Sequence, residues 1–307
     1  MDYGRLSLPR LSLLWADMEE KTPNNFGGLL EEFANYEQAK IVILPVPFDK
    51  TSTWLKGSGK GPKAIIEASR NMELYDIETR TEVFREGIWT AKPVMAKTSK
   101  QMIEEVDRLA GSFLGQDKFL VTLGGEHTVC LGTINAHADF YDDLSILQLD
   151  AHTDLRDEYQ GNPYSHASVM ARVREKVDNI VSVGIRSMDS GELASIREKK
   201  VFYAHKIASV DNWMDRAADR LSPNVYITID LDVFDPGIMP STGTPEPGGL
   251  DWYTVIRLLK RVAEKRQVVG FDVVELCPSQ NKAPDFLAAK LIYKLLSYIS
   301  FFKIKEG

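Results

Sequence analysis

Cysteine is scarce in this chain. Two residues, Cys130 and Cys277, make no disulfide framework. Both sit in apolar surroundings and read as buried free thiols in a reducing compartment. Long hydrophobic runs are missing too. No stretch approaches the roughly 20 apolar residues that span a membrane. The amino-terminal residues show no basic region leading into an apolar segment, so no signal peptide is expected and the chain reads as cytoplasmic. Excess positive charge is also lacking. The net charge of −7 argues against a nucleic-acid partner, which would want a basic face. Internal repeats, low-complexity tracts and Ser/Gly linkers are absent. One domain over 1–307 is therefore expected, with 1–37 as an irregular or partly helical amino-terminal arm.

What is present is an alternation of apolar runs with helical spacing. Strands are expected at 40–45, 119–123, 145–149, 180–184, 201–203, 225–229 and 268–273. Helices are expected at 63–71, 98–114, 127–139, 166–177, 189–199, 211–221, 251–264 and 283–300. Pro62 suits the first turn of the helix beginning there. Such alternation predicts an α/β fold, a three-layer αβα sandwich around a mostly parallel sheet. Two long irregular connections, 153–165 and 231–250, interrupt it. Long loops in a compact domain are usually functional.

Three short blocks carry the chemistry. They are His127 in GGEHTV, Asp150, His152 and Asp154 in DAHTD, and Asp230 and Asp232 in DLDVFDP. Each comes directly after a strand-like run, and residues past the carboxyl ends of parallel strands gather in one crevice. Extended backbone alternates its side chains, so Asp150, His152 and Asp154 share one side, as do Asp230 and Asp232. Any one block alone has a bland reading as capping aspartates or a structural histidine; their convergence does not. Four carboxylates and two imidazoles are too many for one metal ion and suit two, whose charge offsets the cost of burial. An oxygen-rich set with two imidazoles suits Mn²⁺ better than a structural zinc. Two close ions lower the pKa of a shared water, so the residues point to a binuclear metal hydrolase.

The segments GGEHTV, DAHTD and DLDVFDPGIMPSTGTPEPGGL resemble the ureohydrolase family of arginases and agmatinases, closest in pattern to agmatinases. The resemblance runs from about Pro45 to the final helix. It implies an αβα fold, two Mn²⁺ per chain, and cleavage of a guanidino compound to urea and an amine. It also implies trimers or hexamers, with which an acidic α/β chain with exposed aromatic ends at Tyr298, Phe301 and Phe302 is compatible. By motif position, His127, Asp150, Asp154 and Asp230 would hold one ion, and His152, Asp150, Asp230 and Asp232 the other. Asp150 and Asp230 would be the bridges. Glu275 matches the family's guanidinium-binding carboxylate; a guanidinium is a permanent cation and needs an anionic partner in planar, bidentate reach. His166 matches a proton-shuttling histidine, and Asp154 would relay a proton to the leaving amine. Thr244 would lie near the substrate. His137 and His205 read as structural. Lys60 stands where many relatives carry arginine.

The tail of the substrate is less legible. The loop LRDEYQGNPYSH lacks the head-group pattern of arginases. Asp157 and Glu158, taken as facing the pocket, would welcome an amine and favour agmatine, giving putrescine. Arg156 could hold a carboxylate instead, or pair with a neighbouring acid. Arginine, guanidinobutyrate and aminopropylagmatine are the alternatives. A reading of another class is a metal-binding homologue that no longer catalyses.

Overall fold

The computed structural model describes residues 22–306; the first 21 residues of the expected arm lie outside them. Eight strands form one sheet: β1 (Ile41–Val46), β2 (Ile88–Thr90), β3 (Phe119–Gly124), β4 (Leu144–Leu149), β5 (Ile180–Ile185), β6 (Val201–Tyr203), β7 (Asn224–Asp230) and β8 (Gln267–Val274). Their order is β2-β1-β3-β8-β7-β4-β5-β6, and every pairing is parallel. The helices are α1 (Glu31–Ala34), α2 (Gly61–Ser69), α3 (Ser99–Leu114), α4 (Cys130–Phe140), α5 (Val169–Arg174), α6 (Ala204–Ile207), α7 (Trp213–Ala218), α8 (Trp252–Lys265) and α9 (Ala283–Glu306). No helix among the described residues is long and apolar enough to cross a membrane.

A parallel sheet is buried on both faces, so its strands read as continuous apolar runs. Period two then divides each run between two cores. Ile41, Ile43, Val121, Leu123, Leu147, Leu149, Ile227 and Ile229 pack with α2, α7, α8 and α9. Val42, Leu44, Leu120, Ile146, Tyr226 and Val269 pack with α3, α4 and α5 on the other face. In α8 the buried positions Val255, Ile256, Leu258, Leu259, Val262 and Ala263 trace one helical stripe. Asp251 caps its start by accepting from the Thr254 amide at 2.8 Å.

Several elements differ from expectation. The stretch 189–199 is not an α-helix but two 3₁₀ segments, Ser190–Ser195 and Glu198–Lys200, the first opened by an Asp189–Glu192 capping box. Gly191 and two serines disfavour a longer helix there. Helices expected from His127 and His166 begin with 3₁₀ turns, His127–Val129 and His166–Ser168. Edge strand β2 is too short for a periodicity signal and forms by pairing with β1. Tyr298 is not an exposed end: it is 1% exposed, and its hydroxyl donates to Glu78 at 2.6 Å. Cys130 is buried and free; Cys277 is also free but partly exposed.

Candidate metal centre and active site

The four central strands in order are β3, β8, β7 and β4. Their carboxyl ends deliver His127, Glu275, Asp230 and Asp150 side by side. His127 comes after a turn that only glycine can make. A Cβ on Gly125 would lie 2.0 Å from the Phe48 carbonyl oxygen. The Gly125 carbonyl in turn accepts from the Glu275 amide at 2.7 Å, tying the ends of β3 and β8 together. Asp154 and Glu275 both occupy the left-handed region, at φ +52° and +66°. Non-glycine residues rarely adopt it, and such strain clusters at functional sites.

Two donor sets result. His127, Asp150 and Asp154 offer ligand atoms all within 4.8 Å of one another, and so do Asp150, His152 and Asp232. Asp150 belongs to both. Its Oδ2 lies 3.2 Å from His127 Nδ1, and its Oδ1 lies 3.7 Å from His152 Nδ1. Asp154 Oδ2 and Asp230 Oδ2 stand 3.0 and 3.6 Å from His127 Nδ1. Asp232 Oδ2 is 2.9 Å from His152 Nδ1. All but His152 are buried.

The electrostatics are those of a site short of positive charge. Burial and the Asp150 carboxylate raise Asp154 to about 6. Burial, with Asp232 and Asp150 alongside, pushes Asp230 well above its ordinary value. Burial and Glu126 do the same to Glu275. Burial pulls His152 down, but Asp232 and Asp150 outweigh it and hold the ring at about 12. The donors are carboxylate oxygens and imidazole nitrogens, with no thiolate in either set. That chemistry fits divalent cations, which would take the place of the protons the cluster otherwise retains.

A second layer orients His127. Its Nε2 lies 2.9 Å from the Thr228 hydroxyl, which donates to Asp272 Oδ1 at 2.8 Å. Tyr226 donates to the other Asp272 oxygen. With its proton committed to Asp272, Thr228 must accept from Nε2–H, which leaves the Nδ1 lone pair free to take a cation. Thr228→Val is therefore expected to weaken cation binding about 10–100-fold, read by metal titration. Unchanged affinity would show that this chain does not orient the ring.

A cavity of about 300 Å³ opens over the donors. His127, His152, Asp154, Asp230, Asp232, His166, Glu275 and Thr244 all line it. Asp157 and Glu158 do not. The Asp157 side chain is fully exposed and meets Arg172 at 3.2 Å, and Glu158 is exposed. The loop turns both outward, so the acidity at the mouth comes from elsewhere. Asp189 and Glu192 line the cavity, and both face Arg156, at 3.3 and 3.7 Å. Arg156 also lies 5.1 Å above the Tyr159 ring. Glu246 Oε1 stands 3.8 Å from His152 Nε2. His137 is buried, its Nδ1 on the Thr133 carbonyl, and His205 is exposed, so neither enters the site.

The family model described as Arginase family matches residues 39–297. The chain belongs to the arginase family. It is a ureohydrolase, and among curated relatives it is 38% identical over 295 residues to the N(1)-aminopropylagmatine ureohydrolase of Synechocystis sp., covering 90% of this chain and 96% of that one. It is 40% identical over 270 residues to the Thermus thermophilus protein of the same name, covering 86% and 91%. The solved agmatine ureohydrolase of Thermoplasma volcanium superposes with a TM-score of 0.83 at 30% identity, covering 93% of this chain and 97% of that one. The arginase of Bacillus subtilis, at 24% identity and TM-score 0.73, shares the fold.

Some residues that contact side chains of the site were not singled out from the sequence. Thr228 carried a signal, since period two along β7 puts Thr228, Asp230 and Asp232 on one side. Asp272 carried another, as a charge inside the apolar run VVGFDVV. Glu126 adjoins His127 in the same motif. Thr51 carried none.

Proposed function

We propose that this ureohydrolase holds two Mn²⁺ between the donor sets and hydrolyses a guanidino compound with an amine-bearing tail to urea and an amine. N(1)-aminopropylagmatine is the first substrate we assign and agmatine, giving putrescine, the second. The observation that carries the reading is that Asp150 is shared by two donor sets, buried but for His152, beneath a cavity that Glu275 also lines. His127, Asp150, Asp154 and Asp230 would ligate one ion, and His152, Asp150, Asp230 and Asp232 the other. When bound, the pair supplies the charge that neutralises these carboxylates and makes water nucleophilic near neutral pH.

The chain's own residues do the rest. Glu275 Oε1 is held by the His127 amide at 2.8 Å, and Oε2 lies on the Gly243 side of the cavity. A guanidinium paired there is oriented as well as bound, because the carboxylate cannot turn. Asp154, which lines the cavity, is placed to take a proton from the attacking water and give it to the leaving amine. Burial pushes His166 below its ordinary value, so it is poised to pass a proton on rather than keep it. Trp54, Leu55, Tyr159 and Met188 offer an apolar wall to a methylene chain, with Thr244 at the rim.

Tail preference rests on Arg156. It already faces two carboxylates, so it is a poor anchor for a substrate carboxylate. The relatives named for aminopropylagmatine favour the longer polyamine. On one Mn²⁺-loaded preparation, kcat/KM for aminopropylagmatine and agmatine should exceed that for arginine and guanidinobutyrate by about tenfold or more. If a carboxylate-tailed guanidine wins, Arg156 is free in solution and the assignment fails. No urea from any of the four would favour a non-catalytic homologue. Metal analysis of the same preparation should approach two ions per chain, and light scattering should report trimers or hexamers.

A further inference from the structure

A further buried carboxylate beside the site is held by four hydrogen bonds. Glu126 is 0% exposed and sits next to His127. Its Oε2 accepts from the backbone amides of Lys50 and Thr51, at 2.7 and 2.6 Å. Its Oε1 accepts from the hydroxyls of Thr51 and Thr128, at 2.7 and 2.9 Å. Burial pushes this carboxyl up, and the four donors converging on it pull the other way, toward the ionised, acceptor-only form.

The Thr51 hydroxyl can then be accounted for completely. Its single proton goes to Glu126. Its oxygen accepts from the His166 backbone amide at 3.0 Å, and it lies 3.1 Å from His166 Nδ1. An oxygen whose proton is committed can only accept from that nitrogen. The His166 ring must present Nδ1–H to Thr51, which leaves Nε2 as the proton acceptor in the neutral ring.

We propose that Glu126 and Thr51 are positioning residues for His166, which together fix its tautomer and keep Nε2 free to take up a proton. The carboxylate acts at one remove: it orients a hydroxyl, and the hydroxyl orients the imidazole. Thr51 and His166 are brought together from loops after β1 and β4, and Glu126 from the turn after β3, so three separate segments meet here. The proposal rests on the reading of His166 as the proton shuttle, but its geometry stands without that reading.

The test is the tautomer itself. Long-range ¹H–¹⁵N spectra of full-length protein, ¹⁵N-labelled at histidine and loaded with diamagnetic Mg²⁺, report which ring nitrogen carries the proton. His166→Asn identifies the signal. The wild-type ring should be the Nδ1–H form. Thr51→Ser should keep that form, and Thr51→Val should lose it. With Mn²⁺, kcat should fall about tenfold to a hundredfold in Thr51→Val with KM little changed, and Thr51→Ser should recover most of it. A wild-type Nε2–H ring would overturn the proposal, even if Thr51→Val fails to fold. So would a Thr51→Val protein with an unaltered tautomer. A correct tautomer in a protein that cleaves no guanidine would support the assignment and sink only the hydrolase reading.

Discussion

Asp150→Asn should lose at least one of two bound ions and at least about 10³-fold in kcat/KM, equivalent to about 4 kcal/mol of transition-state stabilisation, with the fold retained. The reason lies in how the carboxylate is held. Gln148 Nε2 donates to Oδ2 at 2.9 Å, and the His152 amide donates to Oδ1 at 2.6 Å. Gln148 is itself fixed by Ser182, which donates to its Oε1. Each Asp150 oxygen thus takes one protein donor and faces one imidazole, His127 or His152. An asparagine keeps the shape but must place an NH₂ where one oxygen was. That amide would confront a donor from Gln148 or His152, and it could not ligate a cation. The substitution also removes one negative charge from a cluster whose balance with two cations depends on it. Circular dichroism should be unchanged, since the sheet and both cores lie below the site. Two ions with full activity in the variant would refute the shared role of Asp150.

Glu275→Gln should reduce kcat/KM by about 10²–10³-fold, the cost of removing one partner from a buried charged pair. Metal content should stay at the wild-type value, because Glu275 belongs to neither donor set. The glutamine oxygen can still accept from the His127 amide. Its NH₂ would then point at the guanidinium, a donor against a donor. Strain sharpens the effect: Glu275 sits at φ +66°, and its amide is committed to Gly125. The backbone has no freedom to move the amide aside. Kinetics and metal analysis on one sample separate the outcomes. Near-normal activity would remove Glu275 from substrate binding. A loss of metal would place its role at the ions instead.

The amino-acid sequence determined the strands that matter and the side chains carried just beyond their carboxyl ends. Apolar runs ending in GGEHTV, DAHTD and DLD are local signals, and period two puts alternate residues on one side. The gathering of His127, Asp150, His152, Asp154, Asp230 and Asp232 in one crevice was therefore legible in the sequence, and Glu275 and His166, which line the same cavity, were singled out by resemblance. Tertiary structure decided which groups face one another. Strand β8 inserts between β3 and β7, and that order alone sets Glu275 beside His127, 148 residues away in the chain. The same holds for Thr51 and His166, 115 residues apart. No periodicity encodes such a pairing, because it arises from strand order and loop closure. The loop after DAHTD shows the converse. Its charges were visible, but their directions were not: Asp157 and Glu158 turn to solvent, while Arg156 turns inward to Asp189 and Glu192. An irregular loop has no repeat to dictate where its side chains point. Their orientation is set by the partners that the packed fold brings within reach.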